Sequence, residues 1–194
     1  MATLIGLCGI KGSGKDTVCE MIQDLVPNTK RFACADLLKM ELHKSFGLSL
    51  EILHGTQEQK DVTKTQFSWD HPMLEKYALG RIGRVTYREL TQVYGTEIVR
   101  SARGEDYWLN QILDQVYAHE GLSVITDIRF DNEAEQIPKK NLWYIDGDVS
   151  RDQTNHASET LDFEWDRVIK GKGKATLEET RLAIMEALDA TKFN

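Results

Sequence analysis

A short glycine-rich segment that follows an apolar run is the feature that most constrains this chain. Residues 9–15 read Gly-Ile-Lys-Gly-Ser-Gly-Lys and fit the pattern G-x-x-x-x-G-K. They come after residues 3–8 (TLIGLC), which predict a buried strand, and before a stretch with helical apolar spacing. Glycines let the backbone curl so that its N–H groups face phosphate oxygens, and the positive end of the helix dipole strengthens that binding. We therefore predict a nucleoside triphosphate site built on residues 9–17.

The residue types in this loop predict distinct roles. Lys15 is expected to reach the β- and γ-phosphates of ATP. The next position, where the pattern has a magnesium-binding Ser or Thr, holds Asp16, and Thr17 follows. A carboxylate is a hard oxygen ligand, so either Asp16 or Thr17 is predicted to hold Mg²⁺. The predicted ATP-binding residues of the loop are Lys11, Gly12, Ser13, Gly14, Lys15, Asp16 and Thr17.

A second acidic position follows another apolar run. Asp127 comes directly after residues 122–126 (LSVIT), which predict a buried strand, and Arg129 stands two residues further on. We expect Asp127 to act as a catalytic residue and metal ligand that orients a Mg²⁺-bound water or a substrate hydroxyl. Arg129 is predicted to pair with a phosphate. Further arginines crowd residues 81–103, and they include Arg88. Because phosphoryl transfer between two anions needs cations, this cluster favours that chemistry.

Strand and helix patterns alternate along the chain, which predicts an α/β fold with a parallel sheet covered on both faces. Residues 46–84 predict an insertion with short helical pieces, and residues 146–164 predict a mobile loop. Thr86 is a predicted N-cap with Glu89 three residues on. The predicted strands are 3–8, 29–33, 122–126, 142–145 and 168–169, and the predicted helices are 15–25, 36–45, 86–100, 106–116, 131–138 and 176–190.

Composition excludes several classes of function. The chain has 194 residues and a net charge of −7, so we expect a single domain over 1–194 whose main partner is not a nucleic acid polymer. The three cysteines (Cys8, Cys19 and Cys34) form no CxxC pair, which favours small buried thiols in a reducing compartment. No apolar run is long enough for a membrane span and no secretory signal pattern begins the chain, so a cytoplasmic protein is expected.

Several separated motifs together resemble the bacteriophage deoxynucleoside monophosphate kinases, which have the P-loop nucleoside monophosphate kinase fold. They are GxxGSGKDT at 9–17, FAxADxLK at 32–39, RELTQVYGTE at 88–97, DYW at 106–108, VITDIRFDNE at 124–133 and HxSE at 156–159. The resemblance spans nearly the whole chain. It departs at Leu37, where the family usually has a proline, and at 46–84, which varies in such kinases. It implies a three-layer fold with a central parallel sheet, a helical acceptor-binding insertion (46–84) and a lid (146–164).

The resemblance also implies roles for individual residues. The acceptor nucleotide would lie near Asp36 and Lys39, and its phosphate would meet Arg88, Gln92 and Thr96. Asp127 and Arg129 would face the reacting phosphates. The turn at 170–173 (KGKG), with Lys170 and Gly171, would touch the donor base through its backbone. The lid would consist of Arg151, which is also expected to bind ATP, with His156, Ser158 and Glu159. Four aromatic residues either stack on the acceptor base or, as is more common for such rings, pack in the core: Phe67, Trp69, Tyr87 and Trp108.

The resemblance implies transfer of the γ-phosphate of Mg²⁺-bound ATP to a deoxynucleoside 5′-monophosphate, with ATP and that monophosphate as partners. Lys15, Arg88, Asp127 and Arg129 are then the predicted catalytic residues. Two alternatives remain open: another small-molecule P-loop kinase, of the phosphomevalonate or dephospho-coenzyme A type, and a nucleotide-binding regulatory ATPase. Apolar positions on the 107–117 helix leave room for a homodimer, and a phage-encoded chain would work in the host cytoplasm.

Overall fold

The structure is a computed structural model that describes residues 3–148, 161 and 163–191. The chain divides into two compact units, one formed by residues up to Cys34 and from Leu109 onwards, the other by Ala35–Trp108. The strands are β1 (Thr3–Cys8), β2 (Lys30–Phe32), β3 (Lys64–Ser68), β4 (Arg84–Thr86), β5 (Leu122–Ile125), β6 (Leu142–Asp146) and β7 (Arg167–Lys170). The helices are α1 (Lys15–Leu25), α2 (Cys34–Phe46), α3 (Leu50–His54), α4 (Gln57–Val62), α5 (Tyr87–Gln92), α6 (Ser101–Arg103), α7 (Tyr107–Ala118), α8 (Asp131–Glu135) and α9 (Leu177–Thr191). A π-helix (Val93–Arg100) joins α5 to α6, and short 3₁₀ turns lie at Glu75–Tyr77 and Lys139–Asn141.

The first unit is built on a five-stranded sheet in the order β2-β5-β1-β6-β7. All neighbouring strands in it are parallel, with Ile5 opposite Val124 and Leu7 opposite Trp143. The predicted α/β fold with a central parallel sheet is therefore confirmed, as are its five predicted strands. Because the strands are parallel, the loops that follow β1, β5, β6 and β7 leave from the same edge of the sheet.

Helices cover both faces of this sheet. Val18 and Ile22 of α1 and Ile184 of α9 join the strand residues in one buried cluster. On the other face, the hydroxyl of Ser123 in β5 donates to the Val116 carbonyl of α7. Neighbouring strand residues point to opposite faces, so a strand covered twice needs apolar residues at nearly every position. Burial of each large aliphatic side chain stabilises the fold by about 1.5–3 kcal/mol.

The second unit contains a strand pair that the sequence did not predict. Strands β3 and β4 run antiparallel, and the buried Thr65 hydroxyl donates to the Val85 carbonyl over 3.0 Å. Their short length and polar residues hide the two-residue period on which strand prediction depends. The short helices predicted within 46–84 are present as α3 and α4.

Helix boundaries agree with the predictions except at two places. The helix predicted over 131–138 ends at Glu135, because the residue before Pro138 is disfavoured in helical geometry. The helix predicted from Thr86 to about Arg100 begins with the expected capping box but becomes a π-helix at Val93.

The predicted single domain over 1–194, with its insertion and lid, stays a prediction. Among the described residues, no helix combines the length and the apolarity that crossing a membrane requires.

Candidate phosphate-binding site at the edge of the parallel sheet

The loop between β1 and α1 has the curled backbone that phosphate binding needs. Gly9, Gly12 and Gly14 have φ angles of 144°, 81° and 102°, which side chains with a Cβ rarely adopt. The Ser13 amide donates to the Ile10 carbonyl over 3.2 Å and closes the turn. Helix α1 begins directly after Gly14, so its amide groups and dipole meet the loop. A curled backbone that leads into a helix N-terminus is the geometry that a phosphate-binding loop needs.

Lys15 lies over the loop that it follows. Its Nζ donates to the Gly9 carbonyl over 2.7 Å and to the Ile10 carbonyl over 2.9 Å. These two contacts hold the ammonium group at the concave backbone rather than out in solvent. A cation in this position neutralises negative charge at the loop.

The two residues after Lys15 present oxygen atoms to solvent. Asp16 has a side chain that is 80% exposed, and its Oδ1 lies 3.7 Å from Nε of Arg31 in β2. Thr17 is also exposed. Carboxylate and hydroxyl oxygens suit Mg²⁺, which keeps several waters and usually takes one or two carboxylates plus substrate phosphates. The oxygen atoms of Asp16 and Thr17 are therefore of the type that Mg²⁺ accepts, although the described residues contain no cluster of three or more His, Cys, Asp or Glu side chains that could hold a metal ion.

Asp127 follows β5 at the same edge of the sheet as the phosphate loop. The next residue, Ile128, donates its amide to the Leu7 carbonyl of β1 over 3.3 Å, which ties this segment to the strand before the loop. Asp127 Oδ1 accepts a hydrogen bond of 3.0 Å from the Cys34 amide at the start of α2. The sheet thus brings Asp127 to the edge at which Lys15 lies.

The backbone around Arg129 is fixed by a buried carboxylate. Glu133 Oε2 accepts from the amide of Arg129 over 2.8 Å and from that of Phe130 over 3.3 Å. Glu133 is only 4% exposed, so these contacts hold the start of α8 in place. They orient the segment on which the Arg129 side chain is carried.

The predicted acceptor residues of the second unit lie on its helices. Lys39 Nζ contacts Asp36 Oδ1 over 3.1 Å along α2. Arg88 of α5 reaches α4, where its Nε lies 2.8 Å from Asp61 Oδ1 and its Nη2 donates to Gln57 Oε1. The Arg88 guanidinium is therefore held in one orientation on its own unit.

The rest of the predicted acceptor set lies at or near the π-helix. Gln92 ends α5, and Thr96 lies within the π-helix. Trp108 is buried, and its indole Nε1 donates to the Gly95 carbonyl over 2.9 Å. This bond ties the start of α7 to the π-helix.

Sequence comparison places the chain in a family. No established family profile matches it. A protein of Acanthamoeba polyphaga mimivirus, provisionally assigned as a deoxynucleotide monophosphate kinase, is 30% identical over 177 residues, which cover 80% of each chain. The chain belongs to the deoxynucleotide monophosphate kinase family. The deoxynucleoside-5′-monophosphate kinase of Escherichia phage T5 is 27% identical over 186 residues, covering 73% of this chain and 74% of that one.

The predicted lid residues Arg151, His156, Ser158 and Glu159 lie outside the described residues.

Lys170 and Gly171, which are predicted to lie at the donor base, are described at the end of β7. The Lys170 carbonyl accepts from the Thr180 hydroxyl over 2.9 Å, and the Gly171 amide donates to the Asp146 carbonyl over 2.9 Å. Their backbone is thus fixed by α9 and β6.

The four aromatic candidates for base stacking pack within the second unit of the protein. Trp69 is 3% exposed, and the Arg81 guanidinium lies over its ring, 3.8 Å from the ring centre. The Tyr87 hydroxyl accepts a hydrogen bond from the Ser49 amide. Phe67 makes an edge contact with Phe46. Trp108, described above, is the fourth. This packing agrees with the alternative interpretation, in which the four rings belong to the core of the second unit.

Sequence reasoning missed the partners that hold the predicted site residues. Arg31, Asp61 and Gln57 are distant in sequence from the residues that they contact, and single charged residues carry no pattern that singles them out. The glycine after β6, Gly147, was also missed, although its place next to a strand end was a usable signal. It lies against the phosphate loop.

Proposed function

We propose that this protein transfers the γ-phosphate of ATP to a deoxynucleoside 5′-monophosphate and releases the diphosphate. The observation that carries the proposal is the phosphate-binding loop with Lys15 laid over it, at the sheet edge where Asp127 also lies, in a chain of the deoxynucleotide monophosphate kinase family. The names of the two viral relatives support a kinase that acts on nucleotides. The choice of deoxynucleoside monophosphates as acceptors is our proposal.

The first unit is proposed to bind ATP. The amides of the curled loop and of the first turn of α1 would receive the phosphate oxygens, and Lys15 would move from the Gly9 and Ile10 carbonyls to the β- and γ-phosphates. Mg²⁺, held by Asp16 or Thr17 and by Asp127, would offset charge on those phosphates when bound. Lys11 and the backbone at Lys170 and Gly171 would complete the donor site.

The second unit is proposed to bind the acceptor. Arg88, with Gln92 and Thr96, would meet the monophosphate, while Asp36 and Lys39 would lie at the nucleoside, with Trp108 as a packing partner. Asp61 and Gln57 hold the Arg88 guanidinium by two of its nitrogens, so that its orientation is set before a phosphate arrives. Orienting a reactant in advance lowers the entropy cost of the reaction.

The transfer itself needs little covalent chemistry from the protein. An acceptor phosphate is already anionic at neutral pH, so we propose direct in-line transfer without an enzyme-bound intermediate. Lys15, Arg88 and Arg129 would neutralise the charge that develops on the transferred group. The lid residues Arg151, His156, Ser158 and Glu159 are proposed to close over the phosphates and keep water out. A cytoplasmic location and a homodimer complete the proposal.

A coupled assay of ADP release tests this function. ADP formation from Mg²⁺–ATP is measured alone and with a panel of deoxynucleoside and ribonucleoside monophosphates, 5-phosphomevalonate and dephospho-coenzyme A. We expect strong stimulation by one or a few deoxynucleoside monophosphates. Stimulation by phosphomevalonate or dephospho-coenzyme A alone would assign a different small-molecule kinase, and slow hydrolysis that ignores every acceptor would assign a regulatory ATPase.

A further inference from the structure

Two loops that leave the sheet edge pack against the phosphate loop at Ser13. The loop after β6 brings Gly147, and the loop after β7 brings Gly171 and Lys172. The Lys172 amide donates to the Ser13 carbonyl over 3.1 Å, and the Asp148 amide donates to the Lys172 carbonyl over 2.7 Å. A chain of two hydrogen bonds therefore connects both loops to Ser13.

Each of the two loops approaches the backbone of Ser13 closely at a glycine. A Cβ on Gly147 would lie 2.6 Å from the Cα and from the carbonyl oxygen of Ser13, and a Cβ on Gly171 would lie 2.3 Å from that oxygen. Carbon atoms pack at about 3.5–4.0 Å, so an alanine at either position would have to push Ser13 or its own loop away. Ser13 is fully buried, which leaves it little room to move aside.

The backbone conformation at positions 147 and 171 does not itself require glycine. Gly147 and Gly171 both have φ outside the left-handed region, unlike Gly9, Gly12 and Gly14 of the phosphate loop. An alanine could adopt their backbone angles without strain. The close packing on Ser13 is therefore the feature that requires the missing side chain.

We infer that Gly147 and Gly171 are positioning residues for the triphosphate, which act through Ser13 by clamping the curl of the phosphate loop. The inference rests on the donor site of the proposed function. Amide groups bind phosphate oxygens only when they point inward together, so a shift of a few tenths of an ångström at Ser13 misaligns several of them. Neither glycine needs to touch the nucleotide to have this effect.

Gly121 provides a matched control. It also has φ outside the left-handed region, and a Cβ there would lie 1.9 Å from the Asn28 carbonyl oxygen. It precedes β5, so it lies at the opposite edge of the sheet from the phosphate loop. Gly121→Ala therefore creates a backbone clash in the same unit without touching Ser13.

The test compares Gly147→Ala with Gly121→Ala by calorimetric binding of Mg²⁺–ATP and of inorganic tripolyphosphate, below the unfolding temperature of each variant. We expect Gly147→Ala to weaken both ligands by about tenfold or more, and to raise the KM for ATP more than that for the acceptor. Gly121→Ala should lower the melting temperature and keep both dissociation constants. Unchanged binding in Gly147→Ala, or equal weakening in Gly121→Ala, would overturn the inference.

A measurement on the unaltered protein covers the case in which Gly147→Ala does not fold. Hydrogen exchange of the Lys172 and Asp148 amides is followed with and without tripolyphosphate. We expect the bound anion to slow exchange at both amides, because it tightens the loop to which they are linked, and unchanged exchange would contradict the clamp. Binding without phosphoryl transfer would refute the proposed function but leave the clamp standing.

Discussion

Lys15 is the residue on which, in our proposal, donor binding depends most. Its role at the β- and γ-phosphates was predicted from the sequence, because a lysine at the end of the G-x-x-x-x-G-K pattern is placed to reach them. Its contacts with the Gly9 and Ile10 carbonyls place the ammonium group beside the loop, and its contact with phosphates stays a prediction. The pairing of Asp16 with Arg31, and of Arg88 with Asp61, could not be predicted, since each joins charged residues that only the fold brings together.

Replacing Lys15 with methionine should abolish most of the turnover and keep the fold. The change removes the charge that offsets the transferred phosphate but retains a side chain of similar length. We expect kcat to fall by about 100- to 1,000-fold or more. Steady-state kinetics measures this loss, and circular dichroism checks that the helical signal persists. Activity close to that of the unaltered protein would refute the role of Lys15.

The buried thiols predict a loss of stability at high pH. Burial raises the pKa of Cys8 to about 12 and that of Cys19 to about 11, from an ordinary 9.0. The unfolded thiols ionise from about pH 9, while the native thiols stay protonated, so the unfolded state loses protons first and gains stability. The free energy of unfolding should therefore fall between pH 9 and pH 11.

Urea titrations at pH 8, 9, 10 and 10.5 measure that fall. The double variant Cys8→Ala/Cys19→Ala should show a shallower decline over the same range, because it lacks both groups. Equal slopes in the two proteins would show that other groups cause the decline.

In the native protein at pH 8, a thiol reagent should label neither Cys8 nor Cys19 until urea is added, because both are fully buried.

At the scale of elements, prediction succeeded where a periodic pattern was long. Helix α1 was predicted at the bounds that it has, and the capping box at Thr86 was read from two residues. The π-helix was missed, because its composition suits an α-helix equally well and its geometry depends on packing. There, the Trp108 indole binds the Gly95 carbonyl, and a Cβ on Gly95 would lie 2.6 Å from Leu38. These contacts come from residues outside the helix.

The capping box at Thr86 should stabilise the second unit measurably. Thr86 Oγ1 accepts from the Glu89 amide over 3.1 Å, and Glu89 Oε2 accepts from the Thr86 amide over 2.8 Å. Thr86→Ala should lower the free energy of unfolding by about 1 kcal/mol and the melting temperature by about 2–4 °C. Scanning calorimetry or urea unfolding measures both.

A matched capping box at Thr56 serves as the control. It makes the same pair of bonds with Gln59, but its helix, α4, buries none of its residues. Thr56→Ala should therefore cost less than Thr86→Ala, since fraying of α4 exposes little apolar surface. An equal or larger loss in Thr56→Ala would contradict this ranking.

At the scale of the whole molecule, alternating strand and helix patterns sufficed to predict the parallel sheet and the edge of it at which Gly9 and Asp127 both lie. The antiparallel pair β3–β4 was missed because its short strands carry polar residues, such as Thr65, at buried positions. On α7, Leu109, Ile112 and Val116 are buried and Tyr117 is exposed, so most apolar positions of that helix serve its own fold. The homodimer stays a prediction.

Ligand binding should stabilise the protein as a whole, and more so with magnesium. ATP at about 100 times its dissociation constant adds about 2.7 kcal/mol to the free energy of unfolding. We expect Mg²⁺–ATP to raise the melting temperature by several degrees, and EDTA to reduce that shift and stop turnover. Thermal denaturation and the ADP assay measure the two effects. Full turnover in EDTA would show that the reaction does not use the metal.

The central claim is that the γ-phosphate of ATP reaches a deoxynucleoside monophosphate directly. The most direct measurement incubates the protein with γ-³²P-labelled ATP, Mg²⁺ and each deoxynucleoside monophosphate in turn, and separates the products by thin-layer chromatography. We predict label in the β-position of a deoxynucleoside diphosphate, absent with Lys15→Met. Label found only in inorganic phosphate, at the same rate with every acceptor and with none, would contradict the account.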